Sequence, residues 1–148
     1  MYFEKMKDIR TYFDVSQEMV AESLGVKRST YAGWENGFGS IKLLYLNDFC
    51  NYFGVSIDYI CELNKNKKYP ITSENIDIIA LGKKLREVRK INNDSQKEVS
   101  KIINVDRSNL SRYEKGESII SVDSLIRFAK NYNVSIDWLC NRIKSNKA

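Results

Sequence analysis

The chain has 148 residues, 43% of them apolar, and a formal net charge of +5 at pH 7. That length fits one ordinary domain or two very small ones, and the apolar content excludes a disordered chain. Histidine is absent, and Cys50, Cys61 and Cys140 are odd in number without CxxC spacing, so no zinc site, metal or cofactor is expected and the commonest general base is missing.

In chain order, the N-terminal MYFEKMKDIR carries charges where a signal peptide needs an apolar run, and stretches such as IDIIAL are far too short to span a bilayer. A cytoplasmic protein without a membrane partner is expected. Ser16 then precedes a second helix, which Gly25 ends. A third helix starts near Arg28 and stops at Gly37, a fourth stops at Gly54, and Ser56 opens a fifth. Serine caps helix starts by accepting a backbone N–H, and glycine tolerates the left-handed conformation that closes helix ends. The segment NKNKKYPITS, residues 64–73, combines basic and polar residues with the only proline and reads as a linker. The boundaries predicted from this are a first domain over 1–66, a linker over 67–73 and a second domain over 74–148.

Sliding the chain on itself by 79 residues aligns 6–63 with 85–142 without a gap. Identities include Arg10/Arg89, Ser16/Ser95, Gln17/Gln96, Arg28/Arg107, Ser29/Ser108, Glu35/Glu114 and Gly37/Gly116, so a duplication is the simplest reading. The second copy repeats the punctuation. Leu85, Val88 and Ile91 show helical apolar spacing, and a helix from about Glu74 to Lys90 is predicted, with Ile76 and Ile79 off its Ile78, Leu81, Leu85, Val88 stripe, an edge that either docks one domain on the other or widens the core stripe. Ser95-Gln-Lys-Glu98 spells a capping box. Asn104, Gly116 and Asn133 stand where the first copy has Gly25, Gly37 and Gly54, and Leu125, Phe128, Ala129 and Tyr132 mark another helical stripe. Each copy thus parses into about five short helices and no strand. Cys61 and Cys140 fall at matching apolar positions, so buried reduced thiols are expected rather than a disulfide.

The third helix of each copy carries the chemistry. At 100° per residue from Arg107, Ser111 lies at roughly 40°, Ser108 at roughly 100° and Arg112 at roughly 140°, with Leu110 and Tyr113 near 300° and 240°. One face is apolar and the other presents arginines and short hydroxyls. Arginine can bond guanine in two places and serine can bond several base edges, so this face suits a major groove. Gln96, at the start of the preceding helix, is placed where a side-chain amide and free backbone N–H groups could hold a phosphate.

SQKEVSKIINVDRSNLSRYEKGES with NVSIDWLC, and SQEMVAESLGVKRSTYAGWENG with FGVSIDYIC, resemble the phage-repressor and Cro-like helix-turn-helix family, also called the XRE family. The resemblance implies an all-α protein made of two tandem five-helix, lambda-repressor-like DNA-binding domains. It also implies that Gln17 and Gln96 clamp phosphate or reach the first base, and that Arg28, Ser29, Arg107 and Ser108 begin the base-reading face. Arg112 and Gly33 match a later base-facing position on that helix. Thr30, Ala32, Asn109 and Ser111 complete the candidate set contacting double-stranded DNA. Arg10 with Glu35, and Arg89 with Glu114, match a structural ion pair.

The first copy departs from the pattern. Gly33 leaves no side chain where the second has Arg112, and Lys27 replaces Asp106 beside the positive end of the helix dipole. Residues 1–69 hold nine Lys or Arg against nine Asp or Glu, whereas residues 70–148 hold fifteen against ten. The second copy is therefore expected to bind DNA more strongly. The function expected is a sequence-specific DNA-binding transcriptional regulator acting as a repressor, able to homodimerise. The rival is an antitoxin-like interaction module that docks a protein partner through the first copy. It would use the Tyr31, Trp34 and Phe38 region, where core packing is the competing reading for Tyr31 and Trp34, and Phe38, after Gly37 and hard to bury, is the better candidate for the partner interface. An enzyme is not expected, since no nucleophile sits beside a base and there is no Walker loop or carboxylate cluster.

Overall fold

The computed structural model describes residues 3–146. Among them are ten helices and no strand: α1 Glu4–Tyr12, α2 Gln17–Leu24, α3 Arg28–Asn36, α4 Leu43–Phe53, α5 Ile57–Ile60, α6 Ile78–Ile91, α7 Gln96–Ile102, α8 Arg107–Glu114, α9 Val122–Tyr132 and α10 Ile136–Leu139. The chain divides into two compact units, the first ending at Tyr69 and the second beginning at Pro70. The fold is that of two lambda-repressor-like domains in tandem.

Each unit is closed by the same punctuation. Gly25, Gly37 and Gly54 have φ of 71°, 77° and 66°, and Asn104, Gly116 and Asn133 have φ of 58°, 73° and 52°. All six lie in the left-handed region that glycine and asparagine tolerate best. Ser16, Ser56, Ser95 and Ser135 each accept a backbone N–H from the first turn of the helix that follows, and Ser95 with Glu98 forms the full capping box.

The two cores occupy equivalent positions. Met6, Val20, Tyr31, Leu46, Phe49, Ile57 and Ile60 are buried in the first unit, and Leu85, Val99, Leu110, Leu125, Phe128, Ile136 and Leu139 in the second. The first core is the more aromatic: Tyr31 stacks on Phe49 with centroids 6.3 Å apart, and Phe49 lies 4.9 Å from Phe53. Lysines at equivalent places on the first helices cover the aromatic residue of the last. Lys5 Nζ is 4.5 Å from the Tyr59 ring and Lys84 Nζ is 4.4 Å from the Trp138 ring. Lys84 also donates to the Trp138 carbonyl at 2.6 Å, and burial there lowers its pKa. The three cysteines are buried and unbridged.

Two expectations change. The helix expected from Glu74 begins at Ile78, because the Asp77 carboxylate accepts the Ile79 and Ala80 N–H groups and so caps it there. Ile91, read as continuing the apolar spacing, is 79% exposed, since it is the last residue of α6 and extends past the core. Ile79, on the spare apolar edge, stays 56% exposed while one side of it packs near Gly116 of its own unit, where a Cβ would fall 2.8 Å from Ile79 Cγ1. The linker segment is bonded at both ends. Ser56 N donates to the Lys67 carbonyl at 2.6 Å, and Thr72 N donates to the Arg142 carbonyl at 2.7 Å.

Candidate nucleic-acid interface

In the second unit α7 and α8 are joined by the four residues 103–106. Ile103 and Leu110 anchor the two helices in the core, both essentially without solvent exposure. That anchoring turns the opposite side of α8 outward: Arg107, Ser108 and Arg112 are exposed, and Asn109 and Ser111 are half-buried. In the first unit Arg28, Ser29 and Thr30 are exposed and Ala32 and Gly33 are half-buried, while Tyr31 and Trp34 face the core and Phe38 is 88% exposed.

A single carboxylate fixes the stance of each of these helices. Arg89 Nε donates to Glu114 Oε2 at 2.7 Å, its Nη2 to Oε1 at 2.9 Å, and its Nη1 to the Asp94 carbonyl at 3.1 Å. Gln96 Nε2 donates to Glu114 Oε1 at 3.0 Å. The first unit repeats this atom for atom, with Arg10 to Glu35 at 2.7 and 3.0 Å, Arg10 to the Val15 carbonyl at 3.0 Å, and Gln17 to Glu35 at 3.2 Å. The glutamate at the end of the third helix thus ties together the end of the first and the start of the second. Burial alone would raise the Glu35 carboxyl, but the Arg10 donors, with Gln17, outweigh it and hold it below its usual range. The same contact raises the Arg10 and Arg89 guanidinium pKa values further.

The resemblance assigned Gln17 and Gln96 to DNA without foreseeing the bond to glutamate. The signal was present, since the glutamine and glutamate stand 18 residues apart in both copies. An amide nitrogen has two N–H groups and its carbonyl accepts, so committing one N–H to the glutamate orients the remainder instead of consuming it. Equally unforeseen was the Arg142–Asp137 pair, 2.9 Å apart and almost wholly buried, which locks the end of the second unit. Neither Lys27 nor Asp106 makes a side-chain bond at the start of its helix, so the two caps differ in charge alone.

The surfaces around the two third helices differ. Lys97 and Lys101 on α7 and Lys115 at the end of α8 are all exposed; at the matching positions the first unit has Glu18, Glu22 and Asn36, also exposed. The first unit also exposes apolar groups on its first two helices and the turn between them: Met19 is 53% exposed, Tyr12 77% and Phe13 47%. Among the described residues no helix is long and apolar enough to cross a membrane.

The helix-turn-helix family profile matches residues 6–60 and again 85–139. The HTH-type transcriptional regulator ImmR of Bacillus subtilis (strain 168) is 35% identical over 69 residues, 47% of this chain and 54% of that protein. The cryptic phage CTXphi transcriptional repressor RstR of Vibrio cholerae is 37% identical over 57 residues, 38% of this chain and 51% of that protein. The antitoxin PezA of Streptococcus pneumoniae serotype 4 is 34% identical over 55 residues, 37% of this chain and 35% of that protein. The chain spans about half the length of the first two of these relatives.

Proposed function

Because this chain belongs to the helix-turn-helix family through both of its repeats, we propose that it is a sequence-specific regulator of transcription that binds double-stranded DNA. The observation that carries this reading is the exposed row Arg107, Ser108 and Arg112 on a helix whose other side is anchored by Leu110 and Glu114. Inserted in a major groove, the two guanidinium groups can each take the O6 and N7 of a guanine, and Ser108, Ser111 and Asn109 supply short bonds to neighbouring edges. Gln96 and Lys97 stand at the start of α7, where a phosphate meets free N–H groups and positive charge. Groove occupancy excludes polymerase, which makes repression the sense of regulation; RstR bears the name of a repressor.

The second unit supplies most of the affinity in this proposal. Lys97, Lys101 and Lys115 of that unit correspond to Glu18, Glu22 and Asn36 of the first, and neutralising phosphates is the main source of affinity independent of sequence. Arg28, Ser29, Thr30, Ala32 and Gln17 of the first unit read a second, weaker half-site. Tethering the two raises the effective concentration of each at its half-site. Selection of bound duplexes from a random pool tests this with the wild type, Arg28→Ala, and the double variant Arg107→Ala with Arg112→Ala. The double variant is expected to select no sequence and Arg28→Ala to keep half of the motif; selection lost with Arg28→Ala alone would reverse the ranking.

A second reading rests on Tyr12, Phe13 and Tyr52. These exposed rings are linked edge to face or stacked through Phe53, with centroids 5.1, 5.6 and 4.7 Å apart. A contiguous aromatic surface of this kind fits a protein partner, as does the similarity to a protein named an antitoxin. Binding through these rings would persist as salt rises, whereas binding to phosphates would not.

A further inference from the structure

Two positions on the third-helix surface differ between the units as a pair. Where the second unit has Arg112 and Glu117, the first has Gly33 and Phe38. Equivalent backbone bonds hold each pair together: Phe38 N donates to the Gly33 carbonyl at 2.8 Å, and Glu117 N donates to the Arg112 carbonyl at 2.9 Å. A Cβ built on Gly33 would stand 4.0 Å from Phe38 Cβ. Phe38 therefore emerges beside the very place that a side chain at position 33 would fill. Gly37, at φ 77°, turns the backbone out of α3 and delivers Phe38 to that side. The ring is left 88% exposed, more than any other large apolar side chain described.

We propose that Phe38 is a base-contacting residue that reads the 5-methyl groups of thymine in the half-site facing the first unit. This deepens, and rests on, the reading that the chain binds duplex DNA. The thymine methyl is the one apolar feature of the major-groove code, and phenylalanine is among the side chains that match it. Gly33 removes the side chain that would hold the backbone away from the base pairs, so the ring can reach them. Replacing glutamate by phenylalanine also removes a carboxylate that phosphates would repel. The exchange of an Arg–Glu pair for a Gly–Phe pair thus converts a guanine-reading corner into a thymine-reading one, and Ala32 on the same face offers a second methyl contact. The surroundings favour DNA over a protein partner. Phe38 emerges at Gly33, on the helix that carries Arg28 and Ser29, and among the described residues no ring contact joins it to Tyr12, Phe13 or Tyr52. The operator is then asymmetric, with guanines set against the second unit and thymines against the first.

The test uses the full chain and a duplex selected by it from a random pool, in which single thymidines are replaced by deoxyuridine to remove one methyl without altering pairing. For the wild type, one or two replacements in the first half-site are expected to weaken binding by about 4-fold each, the worth of a buried methyl. Phe38→Ala should lose the same factor on the thymidine duplex and no longer distinguish deoxyuridine, while melting at the wild-type temperature because the ring is exposed. Equal sensitivity of both proteins to deoxyuridine, no sensitivity in either, or a first half-site without thymine would overturn the proposal. So would a Phe38→Ala protein that binds DNA as the wild type does but has lost self-association. A wild type that retains no duplex from the pool at all would instead overturn the DNA-binding reading on which the proposal rests.

Discussion

Glu35 is the residue on which the first unit turns. Its side chain is 1% exposed and receives Arg10 from α1 and Gln17 from α2. A carboxylate in that position is stable only because it is paired; removing its charge leaves the Arg10 guanidinium, itself 12% exposed, without its partner. Glu35→Gln is therefore expected to destabilise the first unit by about 3 kcal/mol at neutral pH. The folded pKa of Glu35 is lowered, so its contribution is present above the unfolded carboxylate value of about 4.3 and is lost as pH falls through the still lower folded value. Urea unfolding between about pH 6 and pH 2 should show the wild type and Glu35→Gln converging at the acid end. A gap that stayed constant with pH would show that the charge is not what holds α3. The pairing of arginine with glutamate was legible in the repeat and its resemblance; the glutamine as third partner was not, because an amide does not reveal in sequence whether it faces protein or solvent.

Among the elements, α6 and α8 approach closely at Gly82. A Cβ on Gly82 would lie 2.3 Å from the Tyr113 carbonyl oxygen and 2.8 Å from that of Glu114. Backbone atoms cannot swing aside as a flexible side chain can, so Gly82→Ala must push the end of α8 away from α6. A loss of about 1–3 kcal/mol is expected from such overpacking, seen as a lower melting temperature of the second unit. Because the same α8 carries Arg107 and Arg112, the affinity for a selected duplex should fall with it. Wild-type stability in this variant would mean that the two helices slide freely. The equivalent residue in the first unit is Phe3, just before α1, so this contact belongs to the longer α6 alone. Helix ends were readable at Ser16, Ser56, Ser95 and Ser135 and at six left-handed stops, but Ser121 before α9 and the left-handed Asp14 and Asn93 after α1 and α6 were not foreseen. The start of α6 was misplaced by four residues because Asp77 is one of several polar residues before it, and only its bonds to Ile79 and Ala80 single it out.

For the whole molecule, the distribution of charge decides how binding responds to salt. The excess of positive charge lies wholly in residues 70–148, and Lys101 on α7 and Lys115 at the end of α8 are exposed. If each neutralises one phosphate, replacing both with alanine should flatten the slope of log K against log salt by about 1.8, at about 0.9 per contact. Selected base preferences should stay as they are, since phosphate contacts carry no sequence. A slope unchanged in the double variant would place the duplex elsewhere on the second unit. The exposed aromatic groups of the first unit follow the opposite logic and are insensitive to screening.

The sequence by itself determined the duplication, the class of the fold, the sites of six left-handed stops and the face that each third helix turns outward. These are local or periodic properties, fixed by backbone sterics and by the spacing of apolar residues within a single helix. Tertiary structure alone decided the commitment of Gln17 and Gln96 to buried glutamates, the exposure of Ile91, the seat of Ile79 on Gly116 and the approach of Phe38 to the gap at Gly33. Each of these depends on distances between residues that are remote along the chain or separated by a turn, and such distances exist only once the helices have packed.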